Sequence, residues 1–303
     1  MYKEELMAGK IGSSLVSIII PTYNYGRFLP RALESCFSQT YKSLEIIVID
    51  DGSTDDTAEI LQSYGNQIVS VRQENSGVSV ARNRGLEMAS GEFITFLDAD
   101  DYMPEDAIQT RVDALTMYPE AGTVATESYS KKGEALSYHP KFKEDRVSDK
   151  FYEDLLLGHF PLTTSTIMIR SHIAKQFRFP LGISNGEDVA YFTKIFFTAP
   201  VCYLTKPTDI SVWHGDSLRH NIDELKRQGA KLVEVIFDDP FYNGALEYLR
   251  KEFTANRYLD LFRKLSMYKE KKMARRYYRK AFLLKPSILF RTNYLLRFVR
   301  TYF

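Results

Sequence analysis

The sequence predicts an α/β fold in which a mostly parallel sheet is flanked by helices. Two short apolar runs rich in β-branched residues, Leu15–Pro21 and Leu44–Asp50, have the composition of strands buried on both faces. Each run precedes a segment whose apolar residues have helical spacing, and this strand–helix order recurs through Tyr118. With 303 residues, of which 44% are hydrophobic, the chain can fill a large core.

The remaining elements follow from the same patterns. Further strands are predicted at Gln67–Arg72, Glu92–Leu97, Gly122–Ser128, Ser165–Ile169 and Val201–Leu204. Helices are predicted at Phe28–Gln39, Thr54–Tyr64, Ser76–Ala89, Pro104–Tyr118 and Glu187–Thr198. We expect Tyr129–Asp149 to be a polar connection and the chain from Ile222 onward to be helical. The predicted organisation is an N-terminal extension (1–14), a main α/β domain (15–220) and a helical, basic C-terminal region (221–303).

Charge and composition exclude several classes of protein. The first 14 residues contain acids and no apolar stretch of signal-peptide length, and no run of about 18 uncharged apolar residues occurs. We therefore expect neither secretion nor a membrane span. Cys36 and Cys202 are too few and too far apart for a disulfide framework or a zinc cluster, and we expect both to pack as apolar residues in a reducing cytosol.

Three loops are expected to meet at one edge of the sheet, because ligands of such sheets bind beyond the carboxyl ends of the strands. These loops are Pro21–Arg27, Asp50–Thr54 and Asp98–Pro104. Their aromatic, polar and acidic side chains would converge in one crevice.

The third loop contains three acids, Asp98, Asp100 and Asp101. Carboxylates this close raise one another's pKa unless a cation lies between them. Asp98 and Asp100 point to the same side of extended backbone and suit a divalent cation that leaves positions open for phosphate oxygens. The acids equally suit the positive end of the following helix. From the residues alone, a metal site and a helix N-terminus are both possible.

The other polar groups also allow two interpretations each. The segment Asp50–Asp55 suits a turn and helix cap, or a carboxylate that accepts the imide N–H of uracil while Tyr23 stacks on the base. Arg82, two turns into a helix, is either solvent-exposed or paired with a phosphate or carboxylate.

Two further polar groups lie later in the chain. Glu187 and Asp188 are acids at a helix start, or one of them is a base in the crevice. His214, beside the only tryptophan, is a buried or capping residue or completes a metal shell.

Taken together, four stretches resemble glycosyltransferase family 2, the nucleotide-diphosphosugar transferases of GT-A (Rossmann-like) fold, in particular those of bacterial surface-polysaccharide synthesis. The stretches are VSIIIPTYNYGRFLPRALESCFSQTY (16–41), EIIVIDDGSTDDT (45–57), ENSGVSVARNRGLEMASGEFITFLDADD (74–101) and GED (186–188). The resemblance covers roughly residues 15–215. It implies that 15–103 is the nucleotide-binding half of a catalytic domain and 104–220 its acceptor-binding half.

The resemblance also implies roles for individual residues. The residues matching the family's donor site are Pro21, Tyr23 and Asp51 for the nucleoside base, Asn75 and Arg82 near the base and diphosphate, and Asp98 near the ribose and metal. Asp100 matches the acid that binds Mn²⁺ or Mg²⁺, and Asp188 matches the general base of inverting members. His214 matches a histidine that approaches the metal, although members often carry arginine where Ser211 or Val212 stands here.

The implied reaction is transfer of a sugar from a nucleotide-diphosphate sugar, with UDP favoured, to a hydroxyl of a saccharide or lipid-linked acceptor. The metal would stabilise the charge that develops on the leaving diphosphate. Asp188 would take the proton of the acceptor hydroxyl in a single inverting displacement.

The C-terminal tail differs from the body in charge. The segment 263–303 contains 13 Lys or Arg and one acid, so it carries +12, whereas the whole chain carries +1 and the remainder therefore −11. Two basic helices with aromatic and aliphatic faces would hold the enzyme on the inner face of the cell membrane, or would pack on the acidic body. Nucleic-acid binding is not expected, because the aromatics have the spacing of helix faces.

Other functions fit the residues less well. A non-catalytic nucleotide-sugar-binding protein would not need Asp98, Asp100 and Asp188 together. A phosphoacceptor receiver domain would carry its acidic pair after the first strand, whereas Asp50 and Asp51 follow the second. A sugar-nucleotide pyrophosphorylase would need a glycine-rich loop after the first strand.

Overall fold

The structure is a computed structural model that describes residues 14–183, 185–214 and 222–302. Apart from residue 14, the predicted N-terminal extension lies outside the described residues. The chain forms two compact units. The described parts of unit 1 are 14–151, 162–181 and 194–214, and those of unit 2 are 152–161, 182–193 and 222–302.

Unit 1 contains one large sheet. Within the described residues its strands are β1 (Val16–Thr22), β2 (Leu44–Asp50), β3 (Val69–Arg72), β4 (Phe93–Phe96), β5 (Thr123–Lys132), β6 (Ala135–Ser137), β7 (Arg146–Ser148), β8 (Ile167–Arg170) and β9 (Val201–Val212). Their order is β3-β2-β1-β4-β8-β5-β9-β7, with β6 paired to β5.

The first four strands are parallel to their neighbours, as the strand–helix repeats predicted. Beyond β4 the sheet becomes mixed: β5 and β9 are parallel, whereas β4–β8, β5–β8, β5–β6 and β7–β9 are antiparallel. The predicted α/β class is confirmed, but parallel pairing dominates only in the first half. For β6 the reason is that it follows β5 directly through a short turn, and such a turn joins antiparallel strands.

Helices of the described residues are α1 (Leu29–Phe37), α2 (Thr57–Ser63), α3 (Val78–Met88), α4 (Ala107–Met117), α5 (Phe151–Leu157), α6 (Ser171–Ala174), α7 (Glu187–Thr198), α8 (Ile222–Gln228), α9 (Lys231–Phe237), α10 (Glu247–Met267), α11 (Lys271–Leu284) and α12 (Thr292–Arg300).

The core of unit 1 follows the alternation of side chains along β1. Ile18 and Ile20 share a buried cluster with residues of α1 and α4. Ile19 points the other way, where α3 approaches so closely that a Cβ on Gly85 would lie 2.3 Å from its side chain. Helices therefore cover both faces of the sheet near β1.

Two sequence predictions need correction. Pro21 does not end β1 but lies within it, because β4 pairs with β1 only as far as Ile19 and no ladder hydrogen bond is needed from residue 21 on that side. The predicted connection Tyr129–Asp149 contains the end of β5 together with β6 and β7. These short strands are held by pairing with β5 and β9 rather than by an apolar pattern of their own.

Unit 2 is helical in its described part, in agreement with the prediction for the chain from Ile222 onward. The long helix α10 packs along α11, and their buried residues include Leu259 and Phe262 of α10 and Ala274 and Tyr278 of α11.

Candidate active site

The candidate site begins where β1 and β2 end together. Thr22 pairs with Asp50, so the loops that follow leave the same edge of the sheet. The first loop turns through Asn24, which has a φ of 55°. Asn24 accepts a hydrogen bond from the Thr54 amide on Oδ1 (2.7 Å), and its own amide donates to Ser53 Oγ (2.9 Å). These bonds hold the two loops together as one surface.

Asp51 holds the loop that follows β3. This buried carboxylate accepts hydrogen bonds on Oδ1 from Gln73 Nε2 (2.7 Å) and the Ser76 amide (2.9 Å), and on Oδ2 from the Gly77 amide (2.8 Å). A carboxylate has about four acceptor positions, so about one remains for a ligand. The structure therefore gives Asp51 a structural task in addition to the predicted contact with a nucleoside base.

The loop after β3 brings Asn75 to the surface, and the loop after β1 does the same for Tyr23. Gly52 adopts a φ of +83°, and a Cβ there would lie 2.9 Å from the Asn75 amide, so only glycine fits this approach. The Asn75 side chain is exposed, and Tyr23 is 38% exposed. Pro21 lies buried at the end of β1. An exposed aromatic ring beside a polar loop provides a stacking surface for a planar ligand.

Arg82 and Asp98 form an ion pair behind this surface. Arg82 lies on α3 with only 6% of its side chain exposed, and its Nη2 donates to Asp98 Oδ1 at 3.0 Å. The guanidinium also lies over the ring of Phe179, 5.3 Å from the centroid. Arg82 is thus not solvent-exposed, and it places a buried positive charge at the carboxyl end of β4.

His214 joins the site from the end of β9. Its Nε2 lies 2.8 Å from Asp100 Oδ2, and its ring packs against Phe28 with centroids 4.4 Å apart. Its Nδ1 is buried and has no hydrogen-bond partner among the described residues. Residues 215–221 lie outside the described residues.

Burial and like charges raise pKa values around Asp100. Its own pKa is raised by burial and by the charge of Asp98, while the hydrogen bond with His214 opposes the shift. Burial and the charges of Asp100 and Asp98 raise the pKa of Tyr25 to about 12, so its phenol keeps its proton. The site therefore holds more negative charge than its own cations compensate.

Asp101, the third acid of the loop, points into the protein. Its Oδ1 accepts a hydrogen bond from the Val212 amide at 2.8 Å, and only 4% of the residue is exposed. Its pKa is raised well above the usual range by burial and by the charge of Asp209. Asp101 thus ties the acidic loop to the strand that precedes His214.

Asp209 and Arg111 lie beneath this loop. Burial raises the pKa of Asp209 to about 7, although a 2.7 Å hydrogen bond from Ser128 and the charge of Arg111 oppose the shift. Arg111 is fully buried, and its guanidinium donates to the Thr208 hydroxyl and carbonyl and to the Thr95 hydroxyl at 2.8 to 3.0 Å. Burial lowers the pKa of Arg111 to about 10, opposed by Asp209.

Sequence reasoning missed several of these residues. Arg31 donates to the Asp100 carbonyl at 2.8 Å and lies over the ring of Tyr102. Tyr25 and Phe28 flank His214. Tyr25 and Phe28 lie in the predicted first loop and at the start of its helix, so their position was a usable signal, whereas nothing in the sequence joined Arg31 to residue 100.

Asp188 belongs to unit 2. It is half-buried in the first turn of α7, where its Oδ1 accepts a hydrogen bond from the Val189 amide at 2.8 Å. Nearby Arg257 has its pKa lowered by burial, and the carboxylates of Asp260 and Asp188 oppose that shift. The prediction that Asp188 is a base stays a prediction.

The donor set fits a divalent cation that takes part of its shell from a substrate. Among the described residues, no group of three or more His, Cys, Asp or Glu is arranged to enclose a metal ion. Asp100 and His214 nevertheless present oxygen and nitrogen donors side by side, with Asp98 as a second carboxylate nearby. A cation that keeps positions open for phosphate oxygens needs only such an incomplete shell, and the excess negative charge favours it.

The sequence matches the model of glycosyl transferase family 2 over residues 17–177, more than half of the chain. The chain belongs to glycosyltransferase family 2. The matched segment includes the three loops of the site as well as Arg82, Asp98 and Asp100. The family predicted from the sequence is thereby confirmed.

The chain is similar in sequence to two longer proteins of known name. Glycosyltransferase GlyA of Streptococcus pneumoniae is 31% identical over 205 residues, which are 63% of this chain and 29% of the relative. Chondroitin synthase of Escherichia coli is 29% identical over 228 residues, 72% of this chain and 32% of the relative. The chain thus spans about a third of the length of these proteins.

Solved structures share the fold at low sequence identity. Residues 1–349 of S. aureus TarS in complex with UDP-GlcNAc align with a TM-score of 0.62 at 18% identity, covering 92% of each chain. Mannosyltransferase PcManGT of Pyrobaculum calidifontis, in complex with GDP-Man and Mn²⁺, aligns with a TM-score of 0.59 at 20% identity, covering 95% of this chain and 86% of the other. The GT-A fold is confirmed.

None of the helices in the described part of the chain combines the length and the apolar character needed to cross a membrane.

Proposed function

We propose that this chain transfers a sugar from a nucleotide-diphosphate sugar to a hydroxyl group, with inversion at the anomeric carbon. The observation that carries the proposal is the pairing of Arg82 with Asp98 and of His214 with Asp100 at the carboxyl end of β4, where Arg82 and both acids lie inside the family 2 match. A buried guanidinium and an imidazole beside partly exposed carboxylates suit a ligand that brings both a diphosphate and a metal ion.

The donor nucleotide is proposed to lie on the loops after β1, β2 and β3. Tyr23 would stack on the base, Asp51 would accept the imide N–H of uracil with its remaining acceptor position, and Pro21 and Asn75 would border the pocket. This arrangement favours a UDP-sugar. The TarS structure contains UDP-GlcNAc and the PcManGT structure GDP-Man, so the choice of nucleoside needs a direct test.

Asp100, Asp98 and His214 are proposed to hold Mn²⁺ or Mg²⁺. When bound, the ion would supply positive charge at the departing diphosphate. Arg82 would orient Asp98 and contribute a fixed positive charge, while Arg31 holds the Asp100 backbone in place.

Asp188 is proposed to take the proton from the acceptor hydroxyl as that hydroxyl attacks the sugar. Its carboxylate lies half-buried in the first turn of α7, where the hydrogen bond from the Val189 amide to Oδ1 orients it. Because the base and the leaving group act on opposite faces of the sugar, a single displacement would invert the anomeric centre.

The acceptor is proposed to be a saccharide or lipid-linked saccharide in the synthesis of cell-surface polysaccharide. The similarity to chondroitin synthase of Escherichia coli supports a glycan acceptor. We further propose that the enzyme works in the cytoplasm at the inner face of the membrane, in contact with it through residues 263–303.

The test is release of nucleotide from UDP-, dTDP- and GDP-sugars with Mn²⁺ or with EDTA, with and without a lipid extract as acceptor. The variants are Asp100→Ala and Asp188→Asn, and Asp113→Asn on the exposed face of α4 is the matched control. We expect metal-dependent turnover of one donor, a loss of about 10²- to 10⁴-fold in Asp188→Asn with donor binding retained, and no change in the control.

Two results would contradict the proposal. Donor binding without turnover under every acceptor condition would favour the non-catalytic nucleotide-sugar-binding protein. Absence of any metal-dependent donor binding would contradict the proposal that Asp98 and Asp100 hold a metal ion for the donor.

A further inference from the structure

The end of the chain combines positive charge with exposed apolar side chains. Between residues 271 and 302 there are ten Lys or Arg and no Asp or Glu. Within the same segment Leu283 is 78% and Phe290 87% exposed. Large apolar side chains this exposed are unusual when they occur together, and they indicate a binding surface.

The inner faces of α11 and α12 are already occupied within unit 2. Tyr278 of α11 stacks on Phe298 of α12 with ring centroids 4.2 Å apart, and both rings pack near Phe262 of α10. Arg275 donates to the Thr301 carbonyl at 3.2 Å, so the two helices run antiparallel. The exposed apolar residues of the segment therefore take no part in the packing between α11 and α12.

The outer faces of both helices carry the unpaired apolar residues. On α11, exposed Arg276, Arg279 and Leu283 recur at helical spacing on one face. On α12, Leu296 (57% exposed) and Val299 (46% exposed) lie three residues apart on the side away from Phe298. We call the exposed apolar side chains Leu283, Phe290, Leu296 and Val299 together the apolar C-terminal face.

The same segment contains three exposed arginines for which the described part of the chain provides no hydrogen-bond or ion-pair partner. Arg276, Arg291 and Arg300 are exposed and make no side-chain hydrogen bond or ion pair with a described residue. Guanidinium groups that lack acidic partners remain available for external anions such as lipid phosphates. No acid of the segment would repel such an anion.

We propose that the apolar C-terminal face docks on an anionic lipid bilayer, with its four apolar side chains inserted at the interface and its arginines on the lipid phosphates. Docking would bring the enzyme to the lipid-linked acceptor of the proposed function. Only this biological reason for the docking rests on the proposed function. A helix that lies in the interface needs one apolar side and flanking basic residues, which this segment has.

Electrostatic repulsion disfavours a second copy of the chain as the partner that docks on the apolar C-terminal face. Two such faces brought together would place the exposed Arg276, Arg291 and Arg300 of both copies close to one another, with no acid of the segment 271–302 between them. A contact through charge alone is less favoured than insertion into the bilayer, because it would leave Leu283 and Phe290 without a function in binding.

The experiment is co-sedimentation of the full chain with vesicles of phosphatidylcholine alone or with added phosphatidylglycerol. The apolar variant is Leu283→Ser with Phe290→Ser, and the charge variant replaces Arg276, Arg291 and Arg300 with Gln. Leu181→Ser, at a side chain that is 64% exposed in unit 1, is the matched control.

We expect binding to vesicles that contain phosphatidylglycerol and little binding to phosphatidylcholine alone. The apolar variant should bind about thirtyfold more weakly or worse, and the charge variant about a hundredfold more weakly, with binding lost as salt rises. The Leu181→Ser control should bind like the wild type. Since none of the substituted residues is buried, all variants should keep the wild-type melting temperature.

Several results would overturn the proposal. They are equal binding to both kinds of vesicle, unchanged binding of the apolar variant, or self-association in sedimentation that the apolar variant abolishes. Donor binding measured on the same preparations separates the two proposals. Lost donor binding with intact vesicle binding would contradict the proposed sugar transfer and leave the docking standing. Lost vesicle binding with intact donor binding would contradict the docking and the proposed membrane contact, and would leave the sugar transfer standing.

Discussion

Replacing Asp51 with asparagine tests whether this carboxylate holds the loop after β3. In the wild type, Oδ1 accepts from Gln73 and Ser76 and Oδ2 accepts from Gly77. An asparagine can keep the two bonds on its oxygen, but its amide nitrogen would face the Gly77 amide, donor against donor. One charged hydrogen bond is lost outright and two become neutral.

The magnitude follows from these three bonds. A hydrogen bond to a charged group contributes about 1.5 to 3 kcal/mol and a neutral one about 1, so the variant should lose roughly 2 to 4 kcal/mol. For a unit of this size, that loss corresponds to a melting temperature lower by about 5 to 10 °C. The donor affinity should also fall, because Asn75 is carried on the loosened loop.

Thermal unfolding followed by circular dichroism measures the first effect, and titration with a UDP-sugar measures the second. Asp56→Asn is the matched control, because Asp56 precedes α2 without capping it. If Asp51→Asn melts like the wild type and loses only donor affinity, then the carboxylate serves the ligand alone and its proposed structural task is refuted.

Three further predictions concern the residues around the acidic loop. Arg111→Met should lower the free energy of unfolding in urea by about 3 to 5 kcal/mol, since it leaves Asp209 buried without its cation; a loss below about 1 kcal/mol would contradict this. His214→Gln should weaken Mn²⁺ binding in calorimetry about 10- to 100-fold, and unchanged affinity would remove His214 from the metal shell. Burial raises the pKa of Asp209 to about 7, above its unfolded value, so the folded state keeps this proton to higher pH. The free energy of unfolding in EDTA should therefore fall by a few kcal/mol as the pH rises from about 4 to 7. The Asp209→Asn variant should lose this pH dependence. If its free energy of unfolding fell with pH as in the wild type, the dependence would belong to other groups.

The parallel half of the sheet was predictable because its strands carry their own signal. The apolar residues of β1 and β2 are buried on both faces, so their composition alone sets them apart from the helices between them. The same reasoning failed for β6, whose three residues are all exposed. Such a strand exists because β5 offers backbone hydrogen bonds, a condition that no local pattern reports.

The candidate site divides in the same way. The convergence of Tyr23, Asp51 and the acidic loop followed from the rule that parallel strands end at one edge. The partners of these groups did not follow. Asp101 is bound by the amide of Val212, 111 residues later, and that contact depends on where β9 enters the sheet. Arg82 was expected to pair with a phosphate or a carboxylate, and only the structure gives Asp98 as its partner.

The three acids of the loop therefore have different tasks, although they stand within four residues. Asp101 points inward, where its hydrogen bond to the strand of His214 fixes the loop. Asp98 and Asp100 remain partly exposed, one on Arg82 and the other on His214. Because Asp209 adds a fourth carboxyl beneath them, burial and mutual repulsion raise the pKa of Asp100, Asp101 and Asp209 together. A folded protein keeps such repulsion only where it is offset, and here Arg111 offsets it from below. A cation bound between Asp98 and Asp100 would offset it from above. The same accumulation of charge that makes the loop costly in isolation would thus provide the affinity for the proposed metal ion and diphosphate.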